Sequence, residues 1–149
     1  MKIRKARKGD LKEYMGLREG WEKEYSRMLG GVDVFASKSQ IKKEFSGFFT
    51  KDYSLLVVEE EGKKKEIIGY LACDFVRNKG VLYISDIFVR KGFRKKGIGN
   101  SLMNGVKSIA KARKIGKIWL GVNLKNKTAI SFYKKSGFKI FRHEMELRL

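Results

Sequence analysis

Val89-Arg90-Lys91-Gly92-Phe93-Arg94-Lys95-Lys96-Gly97-Ile98-Gly99 joins an apolar strand end to a basic, glycine-punctuated turn. The residues that follow carry helical periodicity, with Ile98, Leu102, Val106, Ile109 and Ala110 on one face. Strand, glycine turn, helix is an arrangement that presents bare backbone N–H groups to a phosphate. Glycine has no Cβ, so a ligand can approach its backbone closely. Two common phosphate motifs are excluded. A Walker loop requires Lys after its last glycine, but Ile98 follows Gly97; a dinucleotide fingerprint requires a third glycine where Leu102 stands. What remains is Arg94-x-x-Gly97-x-Gly99.

Upstream of this turn the chain reads as strands and two helices. Residues 3–6 predict a short first strand. Asp10-Leu11-Lys12-Glu13 has the spacing of a capping box, and Leu11, Tyr14, Met15, Leu17, Trp21 and Tyr25 follow at helical intervals until Gly30-Gly31. Ser37-x-x-Gln40 opens a second helix with Ile41, Phe45, Phe48 and Phe49 as its apolar stripe. Residues 53–59 and 67–76 predict a hairpin, and residues 81–89 a third long strand. Downstream, a helix over 98–114 leads to a strand over 117–122, a helix over 128–136 and a final strand from Phe138 onward. Hairpins followed by strand-helix-strand-helix-strand predict one mixed sheet with helices packed on it.

Composition bounds the class. The chain has 149 residues, 42% hydrophobic and 12% aromatic, which is globular rather than disordered. No apolar run approaches the roughly 18 residues of a membrane span, and Met1 to Arg7 lacks the apolar core of a signal peptide. The single cysteine, Cys73, excludes an internal disulfide and fits a reducing, cytoplasmic setting. The net charge of +19 is unevenly placed: residues 1–86 hold 18 Lys/Arg against 14 Asp/Glu, while residues 87–143 hold 16 Lys/Arg and no carboxylate. A phosphorylated ligand accounts for part of that basic half, and a lysine-rich solvated surface is the plainer account of the rest.

Three blocks in order resemble the GNAT superfamily of acetyl-CoA-dependent N-acetyltransferases. They are Ile84-Ser85-Asp86-Ile87-Phe88-Val89, Arg94-Lys95-Lys96-Gly97-Ile98-Gly99, and Asn126-x-x-Ala129-x-x-Phe132-Tyr133-x-x-Ser136-Gly137-Phe138. The wording of the first is most similar to the branch that acetylates polyamines and other small amines. The resemblance implies an α/β fold of the α+β type, with a mixed, mostly antiparallel sheet of about six to seven strands and about four helices. It implies a single domain over 1–149, with 1–50 as the variable acceptor side and 81–138 as the acetyl-CoA-binding core.

The resemblance also implies roles. Acetyl-CoA is the cosubstrate, its pyrophosphate held by Arg94, Lys95, Lys96, Gly97, Ile98 and Gly99, with the helix dipole adding attraction. Its pantetheine arm lies along Ile87, Phe88 and Val89, whose backbone also suits the thioester oxygen. Asn126 starts the last helix and touches the coenzyme. Tyr133 is the general acid: a phenol near pKa 10 stays protonated where a thiol near 8.5 begins to ionise. Asp86 orients the acceptor ammonium or takes its proton, a salt bridge to lysine being its other reading. On strict strand alternation Asp86 shares a face with Leu82, Ile84 and Phe88. Many family members place a glutamate one position earlier, where Ser85 stands here, so the base is open; Asp74 is a weaker candidate. Cys73 and His143 read as packing, and no Cys/His/Asp cluster has metal-ligand spacing, so no metal is expected.

The expected activity is transfer of acetyl from acetyl-CoA to a primary amine by direct attack on the thioester. The acceptor is a small amine or polyamine, with Glu19, Glu22, Glu24 and Asp33 joining Asp86 to supply acidity, or a protein amine. The alternative is a binding module of the same fold whose basic 87–143 face docks nucleic acid or an acidic partner without catalysis. Exposed strand edges are compatible with a homodimer, and no membrane partner is expected.

Overall fold

The computed structural model describes residues 1–62, 65–142, 144, 145 and 147. Five strands form one sheet in sequence order: β1 (Lys2–Lys5), β2 (Tyr53–Glu60), β3 (Glu66–Val76), β4 (Val81–Val89) and β5 (Ile118–Leu120). All neighbours are antiparallel except β4 and β5, which run parallel from Leu82↔Ile118 to Ile84↔Leu120. The helices are α1 (Leu11–Met28), α2 (Lys38–Gly47), α3 (Ile98–Ala112) and α4 (Lys127–Lys135).

The sheet is buried on both faces. Leu56, Val58, Leu71 and Ile84 meet Leu102, Met103 and Val106 of α3 on one side. Leu55, Val57, Tyr70 and Phe88 meet Tyr14 and Leu17 of α1 and Ile41 and Phe45 of α2 on the other. Two such apolar layers are the dominant favourable term in holding the fold.

The second helix starts as its sequence predicts. Gln40 N–H donates to Ser37 Oγ at 3.2 Å, and Ser37 N–H donates to Gln40 Oε1 at 2.7 Å. The first does not. Asp10 accepts instead from Arg4, at 2.7 and 3.0 Å, and from the Arg7 N–H at 2.7 Å, while Glu13 accepts the Ile67 N–H at 2.6 Å. A partly buried guanidinium outcompetes a neighbouring amide for Asp10 because both partners are charged.

The expected final strand is also corrected, leaving five strands among the described residues rather than six or seven. Residues 138–142 carry no ladder. Phe138 closes the turn after α4, its N–H donating to Tyr133 O at 3.0 Å beyond Gly137 at φ +95°. Ile140 and Phe141 then run exposed, and Phe141 meets Trp119 ring to ring rather than through the backbone. A three-residue β5 offers little edge for pairing. His143 lies outside the described residues.

One irregularity sets the site. Ala72 pairs with Asp86 and Cys73 with Ile84, so Ser85 is an extra residue on β4. A bulge reverses the facing of everything beyond it. Leu82 and Ile84 point to α3, whereas Phe88 points to α1 and α2. Asp86, opposite Ala72, therefore shares the face of Tyr70 and Phe88, and not that of Leu82 and Ile84.

Candidate active site

β5 stops opposite Ile84, so among the described residues the β4 edge from Ser85 to Val89 carries no neighbouring strand on that side. The gap opens a cleft of about 950 Å³ between α1, β4, the start of α3 and α4. Into it fall Asp86, Ile87, Phe88, Val89, Arg94, Lys95, Gly97, Ile98, Gly99, Asn126 and Tyr133. Of the residues expected to bind the coenzyme, Lys96 alone lies outside the lining; its ammonium lies 5.2 Å from the Phe93 ring centroid.

The loop from β4 to α3 is shaped by two left-handed residues, Lys95 at φ +61° and Gly97 at φ +79°. Gly97 is the cap of α3 and has no side chain to accept from its first turn. Those N–H groups lack intrahelical partners by geometry, and together with the dipole they make a seat for an anion. Gly99 is needed for a different reason: a Cβ there would come within 3.1 Å of the Phe132 ring. These residues fit the phosphates of a coenzyme. Arg94 is already engaged, donating through Nε to Val89 O at 2.7 Å and through one terminal nitrogen to both oxygens of Glu24 at 2.8 Å. Asn126 caps α4, accepting the Ala129 N–H at 3.0 Å.

Asp86 and Tyr133 are brought to the same cleft. The side chain of Asp86 is 11% exposed, and burial pushes its carboxyl up to about 6, against the opposing pull of Tyr70 and Arg18. The Tyr70 hydroxyl donates to Asp86 Oδ2 at 2.5 Å, and Arg18 Nε stands 3.9 Å away. Burial, and then the Asp86 charge, push Tyr133 up to about 12. Arg18 continues the network, 3.6 Å from Glu44, which itself accepts from Tyr14, and 3.1 Å from Glu22.

The remaining candidates separate from the site. Asp74 is raised by burial but lies outside the cleft lining. Cys73 is fully buried in the α3-side core, its thiol pushed up to about 12 by burial. Glu22 is buried and accepts the Ala36 N–H at 3.1 Å. Asp33 accepts the Phe35 N–H, and Glu19 lies in a separate shallow depression beside Lys12 and Lys38. Sequence reasoning did not single out the α1 wall of the cleft, Trp21, Tyr25 and Met28. Their spacing of four and three residues places them on one helix face, but the same spacing describes a core stripe. Among the described residues no group of His, Cys, Asp and Glu is arranged to hold a metal ion, and no helix is long and apolar enough to cross a membrane.

Comparison with known proteins bears on this geometry. The profile of the acetyltransferase (GNAT) family matches residues 15–138. The chain is 34% identical over 154 aligned residues to an uncharacterized N-acetyltransferase of Methanocaldococcus jannaschii, covering 92% of this chain and 60% of that one. The chain thus spans less than two thirds of that relative's length. Among solved structures, a protein of Bacillus halodurans superposes with a TM-score of 0.85 at 24% identity, over 100% of this chain and 99% of that one. An aminoglycoside N-acetyltransferase solved in complex with CoA superposes with a TM-score of 0.72 at 16% identity, over 99% and 98% of the two chains.

Proposed function

The chain belongs to the acetyltransferase (GNAT) family, and we propose that it transfers the acetyl group of acetyl-CoA to a primary amine by direct attack on the thioester. What carries the reading is the meeting, in one cleft, of an uncapped helix start, an unpaired strand edge, a protonated phenol and a buried carboxylate. Acetyl-CoA supplies the activated acetyl group. The N–H groups at the start of α3 bind its phosphates, and the free edge of Ile87, Phe88 and Val89 extends the sheet to its pantetheine arm.

The chain's own groups manage protons and charge. Asp86, ionised at neutral pH, holds the acceptor ammonium and takes the proton that the amine must lose to become a nucleophile. Tyr133 holds its proton throughout the neutral range and hydrogen-bonds the departing sulfur. A backbone N–H at the β4 edge, already oriented, meets the carbonyl oxygen as charge gathers there. Overall the ammonium loses two protons: the first goes to Asp86 and on to solvent, and the second leaves the nitrogen as the C–S bond breaks and ends on the thiol of CoA.

Titration calorimetry with acetyl-CoA at physiological salt tests the reading, with wild type beside Gly97→Glu and circular dichroism to confirm that both are folded. Binding by wild type and loss in the variant are expected, with release of free thiol when an amine is added. Absence of binding by folded wild type sinks it.

A further inference from the structure

The geometry points to an acceptor that carries a single ammonium on an apolar or aromatic body, rather than a polyamine; this rests on the acetyltransferase reading above. The first ground is the charge of the cleft. Its lining holds two carboxylates, Glu24 and Asp86, against Arg94, Lys95, Lys125 and Lys127. Both oxygens of Glu24 are bonded to Arg94. Asp86 accepts the Tyr70 hydroxyl and has Arg18, shared with Glu22 and Glu44, 3.9 Å away, but among the described residues it is the one lining carboxylate that no cation of the lining holds. It can neutralise one ammonium, and a second or third would enter a partly desolvated space with no free lining carboxylate among the described residues to receive it.

The carboxylates expected to supply acidity for a polycation are committed elsewhere. Glu22 is buried beneath Arg18 and the Ala36 amide. Glu44 is bonded to Tyr14 and lies 3.6 Å from Arg18. Glu19 and Asp33 lie outside the cleft lining.

The second ground is the wall beside Asp86. Arg18 lies 3.9 Å from Asp86 and 4.4 Å from the Trp21 ring centroid, so its guanidinium bridges the carboxylate and the indole, which both line the cleft. Trp21 and Tyr25 stack at 4.9 Å with planes 9° apart, and Met28 extends the same wall. These rings are partly exposed within the cleft. A flat, pre-stacked aromatic surface ending in a thioether favours an apolar or aromatic substituent at little entropic loss. Two sources share that chemistry: a small arylalkylamine, and the free α-amine of a peptide with an apolar first residue.

Steady-state thiol release separates them, using 2-phenylethylamine, a tripeptide with N-terminal Phe, and spermidine. Either monoamine is expected to exceed spermidine in kcat/KM by tenfold or more, and the better of the two identifies the source. Tyr25→Ala should lower that efficiency about tenfold through KM, with acetyl-CoA affinity unchanged by calorimetry. Met28→Glu should raise spermidine efficiency severalfold by adding the missing carboxylate. Spermidine equal to or better than both monoamines, or acetyl-CoA binding with turnover of neither monoamine, overturns the acceptor class alone. No acetyl-CoA binding by folded wild type overturns the transferase reading and this inference with it.

Discussion

The Tyr70 hydroxyl donates to Asp86 Oδ2 at 2.5 Å, across the β3–β4 pair and just beyond the extra residue Ser85. That contact fixes which way the carboxylate faces. It holds Asp86 on the α1 side of the sheet, where Arg18 sits 3.9 Å away, while leaving it on the cleft lining.

Acetyl transfer should therefore rise with pH along a limb near 6, where burial has pushed the Asp86 carboxyl. Below that pH the group is protonated and can neither hold an ammonium nor accept a proton. Asp86→Asn should lower kcat by about a hundredfold or more and remove the limb, as expected for losing a general base. A pH–rate profile of both proteins checks this; an unchanged limb in the variant would assign it to another group.

The same group makes a stability prediction with a definite sign. Its folded pKa lies above its unfolded one, so the native state binds the extra proton between about pH 4 and 6. The stabilising contribution is full below that window and is lost as pH rises through it. The difference corresponds to roughly 3 kcal/mol at most. Thermal unfolding should show the wild-type Tm falling relative to Asp86→Asn from pH 4 to pH 7.

Tyr133→Phe should lower kcat by about a hundredfold while leaving acetyl-CoA affinity near wild type, as follows from the proposed action of the hydroxyl on the departing sulfur. With the phenol pushed up to about 12 by burial and the Asp86 charge, Tyr133 contributes no falling limb below pH 10. Comparing kcat and KM for the two proteins between pH 6 and 10 decides it.

These expectations show which parts of the molecule a sequence discloses. The glycine loop, α3 and the Ser37–Gln40 box are local, and each is readable because spacing along the chain is spacing in space. The orientation of Asp86 is not local. It depends on a bulge at Ser85, which exists only in the register between β3 and β4. The capping box at Asp10 fails for the same reason, because Arg4 reaches it from β1. The acidity expected from Glu22 and Glu24 disappears into ion pairs with Arg18 and Arg94. Charge counted along the chain gives no account of charge already paired.

Glu24→Gln should strengthen acetyl-CoA binding. The Arg94–Glu24 pair is about 40% exposed on both sides, so its loss should shift stability by no more than about 1 kcal/mol. It nevertheless occupies one terminal nitrogen of Arg94 beside the loop proposed to seat phosphates. Releasing it adds a charge-assisted donor for the coenzyme. Calorimetry should show a severalfold lower Kd at low salt and a smaller difference at high salt, because the added attraction is screened. An unchanged Kd at low salt would mean that Arg94 takes no part in holding the phosphates.

Gly97→Ala isolates the backbone conformation of the loop from its charge. A Cβ at Gly97 meets nothing within 4 Å, but φ is +79° there. Holding an L-residue in the left-handed region costs roughly 1–2 kcal/mol. The variant should keep its fold with a Tm lowered by a few degrees. It should bind acetyl-CoA more weakly, because the strained turn relaxes and rotates the first N–H groups of α3 away from the cleft. Gly99→Ala differs in mechanism, since its Cβ would come within 3.1 Å of the Phe132 ring and must displace it. A combined Phe132→Leu change should restore stability lost in Gly99→Ala but not in Gly97→Ala. Rescue of both, or of neither, would show that the two glycines do not serve the separate purposes their geometry assigns them.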